Sequence, residues 1–453
     1  MNLEYIYIKL PAFLQKEVVK WQGKQILKRR FGDSFKRVIE ASQARLAFSP
    51  GQLADYQASR LSAHLKYARH SPFWADRFLQ YSVNTNASDP FAELAKLPIL
   101  TKNDVRTHAK QIQNPLFESS RLLRVHTSGT TGSGLVFLET LDTELERWAV
   151  WWRYRMKLGL TPENLCAVFG GRCLVPISQK KPPFWRHSPY TRQIFFSSQH
   201  LSQENFHHYL VEIERTNATW IHGYPSSLGL LAGWMTDAGL SPPKCLRFLT
   251  IGAENLTQVI KKRIEHAFGL PVYQHYGLAE LTVNFSQEPD GRIYVDEDLS
   301  CVEFPLSEDG SSRRVIGTNW ANPAFPLFRY DSSDLCQVVT TVVNGPRSRE
   351  VLSIDGRQED ALILKNGVHV LCLNQVFADL TNIREAQVRQ TAIGMAEFRI
   401  VKGSDYGPTD EAALTFEIRK RFGELCDVQV TYVDALPRTP SGKLRLVVSE
   451  IPE

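Results

Sequence analysis

The chain has 453 residues, of which 43% are hydrophobic and 22% charged. This composition is typical of a globular protein and excludes a disordered chain, a collagen or a coiled coil. The length indicates two to four domains, or one large domain with a smaller one attached. The net charge of +5 is small and scattered along the chain, so it gives no indication of a nucleic-acid partner.

The N-terminus does not resemble a targeting segment, because Glu4 and Lys9 interrupt its apolar part. No uncharged apolar run approaches the roughly 18 residues of a membrane span, so we expect no stable membrane insertion. The seven cysteines form no CxxC pair, which is typical of reduced thiols and predicts a cytoplasmic location.

The first predicted element is a basic helical extension over residues 12–46. It carries Lys28, Arg29 and Arg30 close to Trp21 and Ile26. One interpretation is a solvated helix with one apolar face, and the other is a helix that lies on a membrane surface.

Further along the chain, apolar spacing predicts helices over 51–70, 203–215 and 256–268, the last ended by Gly269. Short apolar runs predict strands at 166–169, 246–251, 338–343, 361–364 and 428–433. This alternation predicts an α/β architecture. After Gly345 the predicted elements are short strands with few long helices. A smaller α+β domain is therefore predicted from Gly356 onward.

A loop rich in glycine and hydroxyl side chains runs from His126 to Gly134 (HTSGTTGSG). Glycines let the backbone approach a ligand, and hydroxyl groups donate to phosphate oxygens. No Gly-Lys-Ser/Thr follows and GxGxxG is absent, so the loop is neither a Walker A loop nor a dinucleotide fingerprint. By itself the loop fits a phosphate site or a plain surface turn.

Several other motifs follow this loop in a fixed order. They are Gly252-Ala253-Glu254, Tyr273-Gln274-His275-Tyr276-Gly277-Leu278-Ala279-Glu280, Arg329-Tyr330-Asp331-Ser332-Ser333-Asp334, Gly356-Arg357-Gln358-Glu359-Asp360 and Leu436-Pro437-Arg438-Thr439-Pro440-Ser441-Gly442-Lys443. Their order and spacing resemble the adenylate-forming superfamily, and within it the phenylacetate-CoA ligase branch and the CapK-type group associated with polysaccharide biosynthesis.

The resemblance implies a large N-terminal domain of layered sheets and helices over 1–355 and a small, mobile α+β domain over 356–453. It implies an AMP-forming acid ligase, in which a small carboxylic acid attacks the α-phosphate of ATP and releases pyrophosphate. The acyl group then passes to a thiol or amine, with CoA and a carrier protein as candidate acceptors.

The resemblance also assigns roles to individual residues. Glu280 would hold Mg²⁺ and Asp334 the ribose hydroxyls, although read singly they also fit a surface glutamate and a turn aspartate. Lys443 would bridge the carboxylate and the α-phosphate as the catalytic residue, although a lysine near a C-terminus is commonly only solvated. Asp360 would be the hinge. ATP or AMP would contact Thr127, Ser128, Gly129, Thr130, Thr131, Gly132, Gly252, Ala253, Glu254, His275, Tyr276, Gly277 and Arg357.

The chain departs from the family pattern at three places. Ser133-Gly134-Leu135 replaces the usual Gly-x-Pro continuation, and Ala279 stands where relatives have a hydroxyl side chain. Losing one such donor costs roughly 1–3 kcal/mol. The segment 343–347 lacks the cysteine pair of many relatives, so we expect no structural zinc.

The residues of the acyl pocket are less clearly marked. Arg172, Tyr224 and Trp185 lie in segments that the family places near the acid, whereas Trp148, Trp151 and Trp152 favour a core position. Three other hypotheses stay open. The first is an adenylating enzyme that works with a separate acyltransferase. The second is a catalytically weak scaffold, and the third is a peripheral membrane protein that uses the 12–46 helix.

Overall fold

The computed structural model describes residues 3–126, 135–170, 172, 174–253, 256, 258–306, 313–339, 349–355, 362–370, 373–377, 380, 382–403, 406–437 and 446–451. The helices within these residues are α1 Leu3–Lys9, α2 Ala12–Arg30, α3 Asp33–Ala44, α4 Pro50–Ala68, α5 Pro72–Gln80, α6 Pro90–Ala95, α7 Lys102–Ile112, α8 Leu141–Lys157, α9 Phe206–Thr216, α10 Pro225–Asp237, α11 Gln258–Phe268 and α12 Pro408–Phe422.

The strands within the same residues are β1 Leu123–His126, β2 Val136–Glu139, β3 Cys166–Gly170, β4 Trp185–Ser188, β5 Gln193–Ser197, β6 Trp220–Gly223, β7 Phe248–Ile251, β8 Val272–Gly277, β9 Asn284–Gln287, β10 Ile293–Val295, β11 Cys301–Glu303, β12 Arg313–Thr318, β13 Tyr330–Val338, β14 Glu350–Asp355, β15 Leu362–Ile363, β16 His369–Val370, β17 Ile383–Ala392, β18 Met395–Lys402, β19 Asp427–Tyr432 and β20 Val447–Ser449.

The predicted 12–46 helix is two helices, so the expectation of one continuous element is wrong. α2 ends at Arg30, α3 begins at Asp33 after Gly32, and a short 3-10 turn follows α3. The 51–70 prediction is confirmed as α4, which starts with a capping box between Ser49 and Gln52 and has Pro50 at its first position.

The helices predicted over 203–215 and 256–268 correspond to α9 and α11, and Gly269 has the positive φ of +64° that ends a helix. The strands predicted at 166–169, 246–251, 361–364 and 428–433 correspond to β3, β7, β15 and β19. Of the strand predicted at 338–343, Val338 is the last residue of β13. Residues 340–343 lie outside the described residues, so the rest of this strand stays a prediction.

The largest sheet has twelve strands in the order β11-β12-β13-β14-β10-β9-β8-β7-β6-β3-β5-β4. Strands β5, β3, β6, β7 and β8 run parallel to one another. Strand β8 then pairs antiparallel with β9. The sheet therefore changes from parallel to antiparallel pairing within one strand, since Gln274 still pairs with β7 and His275 already pairs with β9.

Helices cover both faces of the parallel half, which explains why its strands are nearly continuous apolar runs. Along β3, Cys166 packs with residues of α3 and α8, whereas Ala167 packs with residues of α9, α10 and α11. The two-residue period of a strand divides these neighbours between the two faces. Helix α8 consequently lies on the Cys166 face of the sheet, and the same face continues across the sheet to β8 and β9.

The C-terminal residues form a sheet of their own in the order β19-β18-β17-β20, with α12 packed beside it. The hydrophobic cluster in this part is drawn wholly from residues between Leu362 and Val447. The expected boundary at 355/356 and the hinge at Asp360 adjoin or lie outside the described residues, so the domain division stays a prediction. Within the described residues, no helix is both long and apolar enough to span a membrane.

Candidate functional site

The parallel strands bring several predicted residues to one edge of the sheet. Tyr224 directly follows β6, Gly252 directly follows β7, and His275 is the next residue after the last β7 partner in β8. The register pairs Gly223 with Ile251 and Ile251 with Gln274, so the three residues occupy one row across the sheet. Ligands of open α/β sheets bind outside the carboxyl ends of such strands, where the strand arrangement changes.

Asp334 and Tyr276 come from different motifs and contact each other directly. The Tyr276 hydroxyl donates a hydrogen bond to Asp334 Oδ2 at 2.6 Å, and the Tyr276 ring stacks on Phe285. Asp334 is 8% exposed and lies within β13, which excludes the alternative of a simple turn aspartate. A hydrogen bond to the charged form stabilises the carboxylate and orients its second oxygen.

Glu280 is buried, which rules out the surface glutamate that its sequence position also allowed. It is 5% exposed, its Oε1 accepts a hydrogen bond from the Tyr330 hydroxyl at 3.2 Å, and Asn319 Nδ2 donates to its backbone oxygen at 2.8 Å. Among the described residues, Glu280 Oε2 has no hydrogen-bond partner. A buried carboxylate with an unused oxygen fits one protein ligand of Mg²⁺, an ion that takes its other ligands from phosphates and water.

No resident metal cage is found near this glutamate. The part of the chain described by the structure contains no group of three or more histidine, cysteine, aspartate or glutamate side chains that could hold a metal ion.

Asn284 connects His275 to the rest of the core, and sequence reasoning missed it. Its Oδ1 accepts hydrogen bonds from His275 Nε2 at 3.0 Å and from Trp151 Nε1 at 3.2 Å, and its Nδ2 donates to Asp296 at 2.6 Å. Because the amide oxygen can only accept, His275 Nε2 carries a proton. The only signal for Asn284 in the sequence is a polar residue in the short segment that follows the Glu280 motif. Its burial is visible only in the structure.

His222 and His275 are neutral near pH 7. Burial is the main cause that lowers the pKa of His222 to about 3 and that of His275 to about 4, and the nearby charge of Arg155 contributes to both shifts. Gly252 faces both rings, since a side-chain carbon at that position would lie 3.9 Å from His275 Nδ1 and 4.0 Å from His222 Cε1. Glycine thus leaves the end of β7 open next to two uncharged imidazoles.

Backbone strain concentrates at the motifs. Seven non-glycine residues among those described have a positive φ, and four of them lie in or beside the motifs: Ala253 at 69°, Leu281 at 57°, Arg329 at 49° and Ser333 at 63°. Such conformations cost energy and persist where the surroundings enforce them, which is common at ligand sites.

A guanidinium group lies beside the alanine that departs from the family pattern. Arg147 of α8 donates from Nη2 to the Ala279 backbone oxygen at 3.3 Å and is also paired with Glu139. Burial raises the pKa of Glu139 to about 7, although Arg147 opposes this shift. A positive group therefore lies next to the position where relatives carry a hydroxyl.

The predicted acyl-pocket residues have different environments. Arg172 is exposed and its guanidinium lies 5.7 Å from the ring centre of Phe195, and Tyr224 precedes the first residue of α10. The ring of Trp185 packs against Phe196 and Tyr209 in the hydrophobic core. The three tryptophans of α8 differ, because Trp152 is buried at 7% exposure and Trp148 and Trp151 are half-buried.

The remaining predicted site residues lie outside the described residues. They are Thr127, Ser128, Gly129, Thr130, Thr131, Gly132, Glu254, Arg357, Asp360 and Lys443. The two strands that flank the 127–134 loop are described, and they form an antiparallel hairpin in which His126 pairs with Val136. This pairing holds the two ends of the loop together.

Residues 362–450 match the family profile described as the CapK C-terminal domain. The whole chain is 24% identical to Protein CapK of Staphylococcus aureus over 463 aligned positions, which span 99% of this chain and 100% of that protein. It is 24% identical to phenylacetate-coenzyme A ligase of Escherichia coli (strain K12), over 71% of this chain and 75% of the ligase.

The crystal structure of 2-hydroxyisobutyryl-CoA ligase in complex with 2-HIB-AMP and CoA in the thioesterification state has the same fold. It superimposes with a TM-score of 0.54 at 18% identity and covers 93% of this chain and 91% of the ligase. The expected α/β fold with a large N-terminal part and a smaller C-terminal part is thereby confirmed. The chain is therefore similar to Protein CapK over its whole length and to phenylacetate-coenzyme A ligase over most of its length, and it has the fold of 2-hydroxyisobutyryl-CoA ligase.

Proposed function

We propose that this protein activates a small carboxylic acid with ATP. The carboxylate oxygen attacks the α-phosphorus, the bond between the α-phosphorus and the bridging oxygen breaks, and pyrophosphate leaves, so that acyl-AMP is formed. The acyl group then passes to a thiol or amine acceptor, for which CoA and a carrier-protein thiol are candidates. Because ATP is the co-substrate, we propose the cytoplasm as the location.

The observation that carries this proposal is the hydrogen bond between Tyr276 and Asp334 at the strand where the sheet changes direction. A carboxylate that is fixed by a phenol at 2.6 Å can accept hydrogen bonds from two ribose hydroxyl groups. The open edge at Gly252, directly beside the same strand, supports a position for the adenine.

The other roles follow from charge. Glu280 would hold Mg²⁺, which neutralises the charge of the phosphates when it is bound. The 127–132 loop would donate backbone and hydroxyl groups to the β- and γ-phosphates. Arg357 would add a contact to the nucleotide. Lys443 would bring a positive charge to the α-phosphate as negative charge develops in the transition state, after rotation at Asp360.

The test is ATP–pyrophosphate exchange with a panel of carboxylic acids. We expect Asp334→Asn, Glu280→Gln and Lys443→Ala to reduce acid-dependent exchange by roughly 10²-fold or more, as loss of a transition-state charge contact does. The matched control is Asp290→Asn, an exposed aspartate paired with Arg292, which should leave exchange unchanged.

Two results together would contradict the proposal. They are the absence of acid-dependent exchange in the wild type across the panel, and the failure of Mg-ATP to raise the melting temperature. The acceptor is tested separately, by supplying CoA and following the loss of free thiol. An enzyme that exchanges pyrophosphate but consumes no thiol supports transfer to another acceptor or through a separate acyltransferase.

A further inference from the structure

Arg155 of α8 is buried without a counter-charge. The residue is 9% exposed, and its guanidinium carbon lies 5.0 Å from the ring centre of Trp220, 5.3 Å from Trp152 and 5.8 Å from Trp148. Among the described residues, no carboxylate lies within ion-pairing distance, and the groups that act on it electrostatically are Cys166 and Tyr154. Three aromatic rings thus surround a guanidinium that has no acid partner.

Arg153, only two residues away, provides an internal comparison. It is 1% exposed and donates to both Asp296 and Asp298 at 2.8–2.9 Å. This is the usual solution for a buried arginine, because an unpaired buried charge is costly and cation–π contacts offset only part of that cost. Arg153 is thus paired with acids of the chain, whereas Arg155 has no acid partner among the described residues and can accept an anion from a ligand.

Arg155 is close to the site described above. Its charge acts on both His222 and His275, the two rings that face Gly252. Burial raises the pKa of Cys166 and of Tyr154 and lowers the pKa of the two histidines, so all four neighbours are uncharged near pH 7. Among these five side chains, Arg155 is therefore the one that is charged near pH 7.

A second guanidinium extends this positive region. Arg30 lies 4.5 Å from the ring centre of Trp148, so that Trp148 is in contact with both Arg30 and Arg155. Arg30 shares its acid partner, Glu144, with Arg29. Its pKa is lowered mainly by burial and also by the neighbouring charge of Arg172.

We propose that the acid activated by this protein carries a second anionic group, and that Arg155 binds that group. A dicarboxylic acid is the simplest member of this class. One carboxylate would react with ATP at the strand ends, and the remote carboxylate would accept hydrogen bonds from the Arg155 guanidinium inside the tryptophan ring cluster. This proposal rests on the proposed acid activation and makes Arg155 a specificity-determining residue of the same site.

The test uses matched probes, namely succinate, glutarate, adipate and terephthalate, each compared with its monomethyl ester. The ester keeps the shape of the acid and removes the remote charge. We expect kcat/KM in ATP–pyrophosphate exchange to be at least tenfold higher for one diacid than for its ester. Arg155→Met should abolish that preference and leave exchange with the ester unchanged, whereas Arg155→Lys should keep part of it.

Two controls guard against misfolding. Arg121→Met removes an arginine whose side chain is 84% exposed and should leave the preference intact. Circular dichroism spectra and melting temperatures establish that the Arg155 variants are folded, and Arg155→Lys remains informative if Arg155→Met is unstable.

A second readout does not need catalysis. Trp148, Trp152 and Trp220 surround the guanidinium, so diacid binding without ATP should change tryptophan fluorescence in the wild type and not in Arg155→Met. If esters are used as well as diacids, or if Arg155→Met lowers exchange with both equally, the proposal is wrong and acid activation stands. If diacids change the fluorescence but no acid supports exchange, the anion site stands and the proposed activation fails. If neither occurs, both fail.

A different observation carries a second inference, on the exposed face of α2. The helix is attached by one narrow face, on which Gln15, Val19 and Gly23 are buried. Arg186 donates to Gln15. The opposite face is exposed and carries large apolar side chains: Phe13 at 66%, Trp21 at 63%, Leu14 at 39%, Leu27 at 38% and Val18 at 37%.

Lysines alternate with these apolar side chains. Lys20, Lys24 and Lys28 are spaced by four residues along the exposed part of the helix, and the one acid among them is Glu17. Phe13 and Trp21, each more than 60% exposed, lie on the same exposed side of the helix as this row of lysines. Exposed aromatic rings beside lysines fit the boundary between lipid headgroups and acyl chains, where anionic lipids supply the complementary charge. We propose that this face of α2 binds an anionic membrane surface peripherally.

Sedimentation with vesicles of phosphatidylcholine, with and without phosphatidylglycerol, tests this proposal. The full-length protein should pellet with the anionic vesicles and be released by salt. Phe13→Ala/Trp21→Ala and Lys20→Glu/Lys24→Glu should each abolish pelleting. The matched control Tyr67→Ala/Leu79→Ala removes two other exposed apolar side chains and should pellet like the wild type. Absence of pelleting, equal pelleting with neutral vesicles, or equal loss in the control would show that the face serves another purpose, such as a protein partner.

Discussion

At the scale of single residues, the side chains proposed to bind the nucleotide and magnesium are held by partners that come from distant parts of the chain. Asp334 is fixed by Tyr276, 58 positions away, and Glu280 by Tyr330, 50 positions away. Motif spacing predicted Asp334 and Glu280 themselves. It could not predict these hydroxyl partners, because sequence spacing does not specify which side chains meet across a sheet.

The hydroxyl of Tyr276 should matter for ATP more than for the acid. Tyr276→Phe removes the 2.6 Å hydrogen bond to Asp334 and keeps the stacking on Phe285. A hydrogen bond to a charged group contributes about 1.5–3 kcal/mol, so we expect KM for ATP to rise about tenfold or more with little change in KM for the acid. Steady-state exchange kinetics measure this, with Tyr294→Phe as the control. An unchanged KM for ATP would contradict the role given to the pair.

Asp298 should control acid stability. Burial alone would raise the pKa of its carboxyl, but the guanidinium groups of Arg153 and Arg45 hold that pKa well below the usual range. The stabilisation is therefore present above the unfolded-state pKa, near 3.9, and is lost as the pH falls through the lower folded-state pKa. Asp298→Asn should reduce the free energy of unfolding by about 3–5 kcal/mol at pH 7, because it leaves buried guanidinium groups short of a partner.

Urea unfolding at pH 7 and at lower pH checks this expectation. The difference between the wild type and Asp298→Asn should shrink as the pH falls below about 4. Asp290→Asn, at an exposed ion pair with Arg292, should cost about 1 kcal/mol or less. A difference that is constant with pH would show that packing, rather than charge, causes the effect.

At the scale of elements, β8 connects the two halves of the large sheet. Its first three residues pair with β7 and its last three with β9. The last three are His275, Tyr276 and Gly277, so the motif lies where the pairing changes, which is the position at which open α/β sheets commonly bind ligands. The helices predicted from periodicity over 51–70, 203–215 and 256–268 were confirmed as α4, α9 and α11. Most of the strand expected at 338–343 lies outside the described residues and stays a prediction.

The segment after Glu280 depends on a glycine in β12. A side-chain carbon at Gly317 would overlap the Thr282 carbonyl group, whose carbon would lie only 2.6 Å away. Gly317→Ala must therefore push back the backbone that follows Glu280. We expect a loss of about 1–3 kcal/mol or more in the free energy of unfolding, and weaker exchange activity.

Gly51→Ala is the matched control, because nothing lies within 4 Å of a side-chain carbon at Gly51. Gly51 lies in α4, where alanine is the better helix former, so this variant should be neutral or stabilising. Thermal unfolding followed by circular dichroism compares the two. Equal stability of both variants would contradict the close approach of Gly317 and Thr282.

At the scale of the whole molecule, the C-terminal residues have a hydrophobic core of their own. All members of that cluster lie between Leu362 and Val447, which supports the proposed division into a large and a small domain. The small part still contacts the large one, since a side-chain carbon at Gly423 would lie 2.8 Å from Ile177. The cavity beside this contact, of about 750 Å³, is lined by residues 176–178 and α12.

We therefore expect residues 356–453 to fold without the rest of the chain. About 100 residues with a separate core suffice for a stable domain. The isolated fragment should show a cooperative thermal transition by circular dichroism. Phe398→Ala, which removes a fully buried ring between Phe377 and Phe422, should lower its stability by about 3–5 kcal/mol. A fragment with no cooperative transition would contradict the division.

The sequence by itself determined the α/β class, several of the helices, the order of the motifs and the resemblance to adenylate-forming enzymes. Helical periodicity, glycine at turns and polar residues at strand ends are local properties that a single chain displays. Only the tertiary structure decided that Tyr276 fixes Asp334, that Glu280 is buried, that the basic N-terminal segment is two helices with an exposed aromatic face, and that Arg155 lacks an acid partner while Arg153 has two. Those features depend on side chains from strands and helices far apart in sequence, and local patterns contain no information on which of them come into contact.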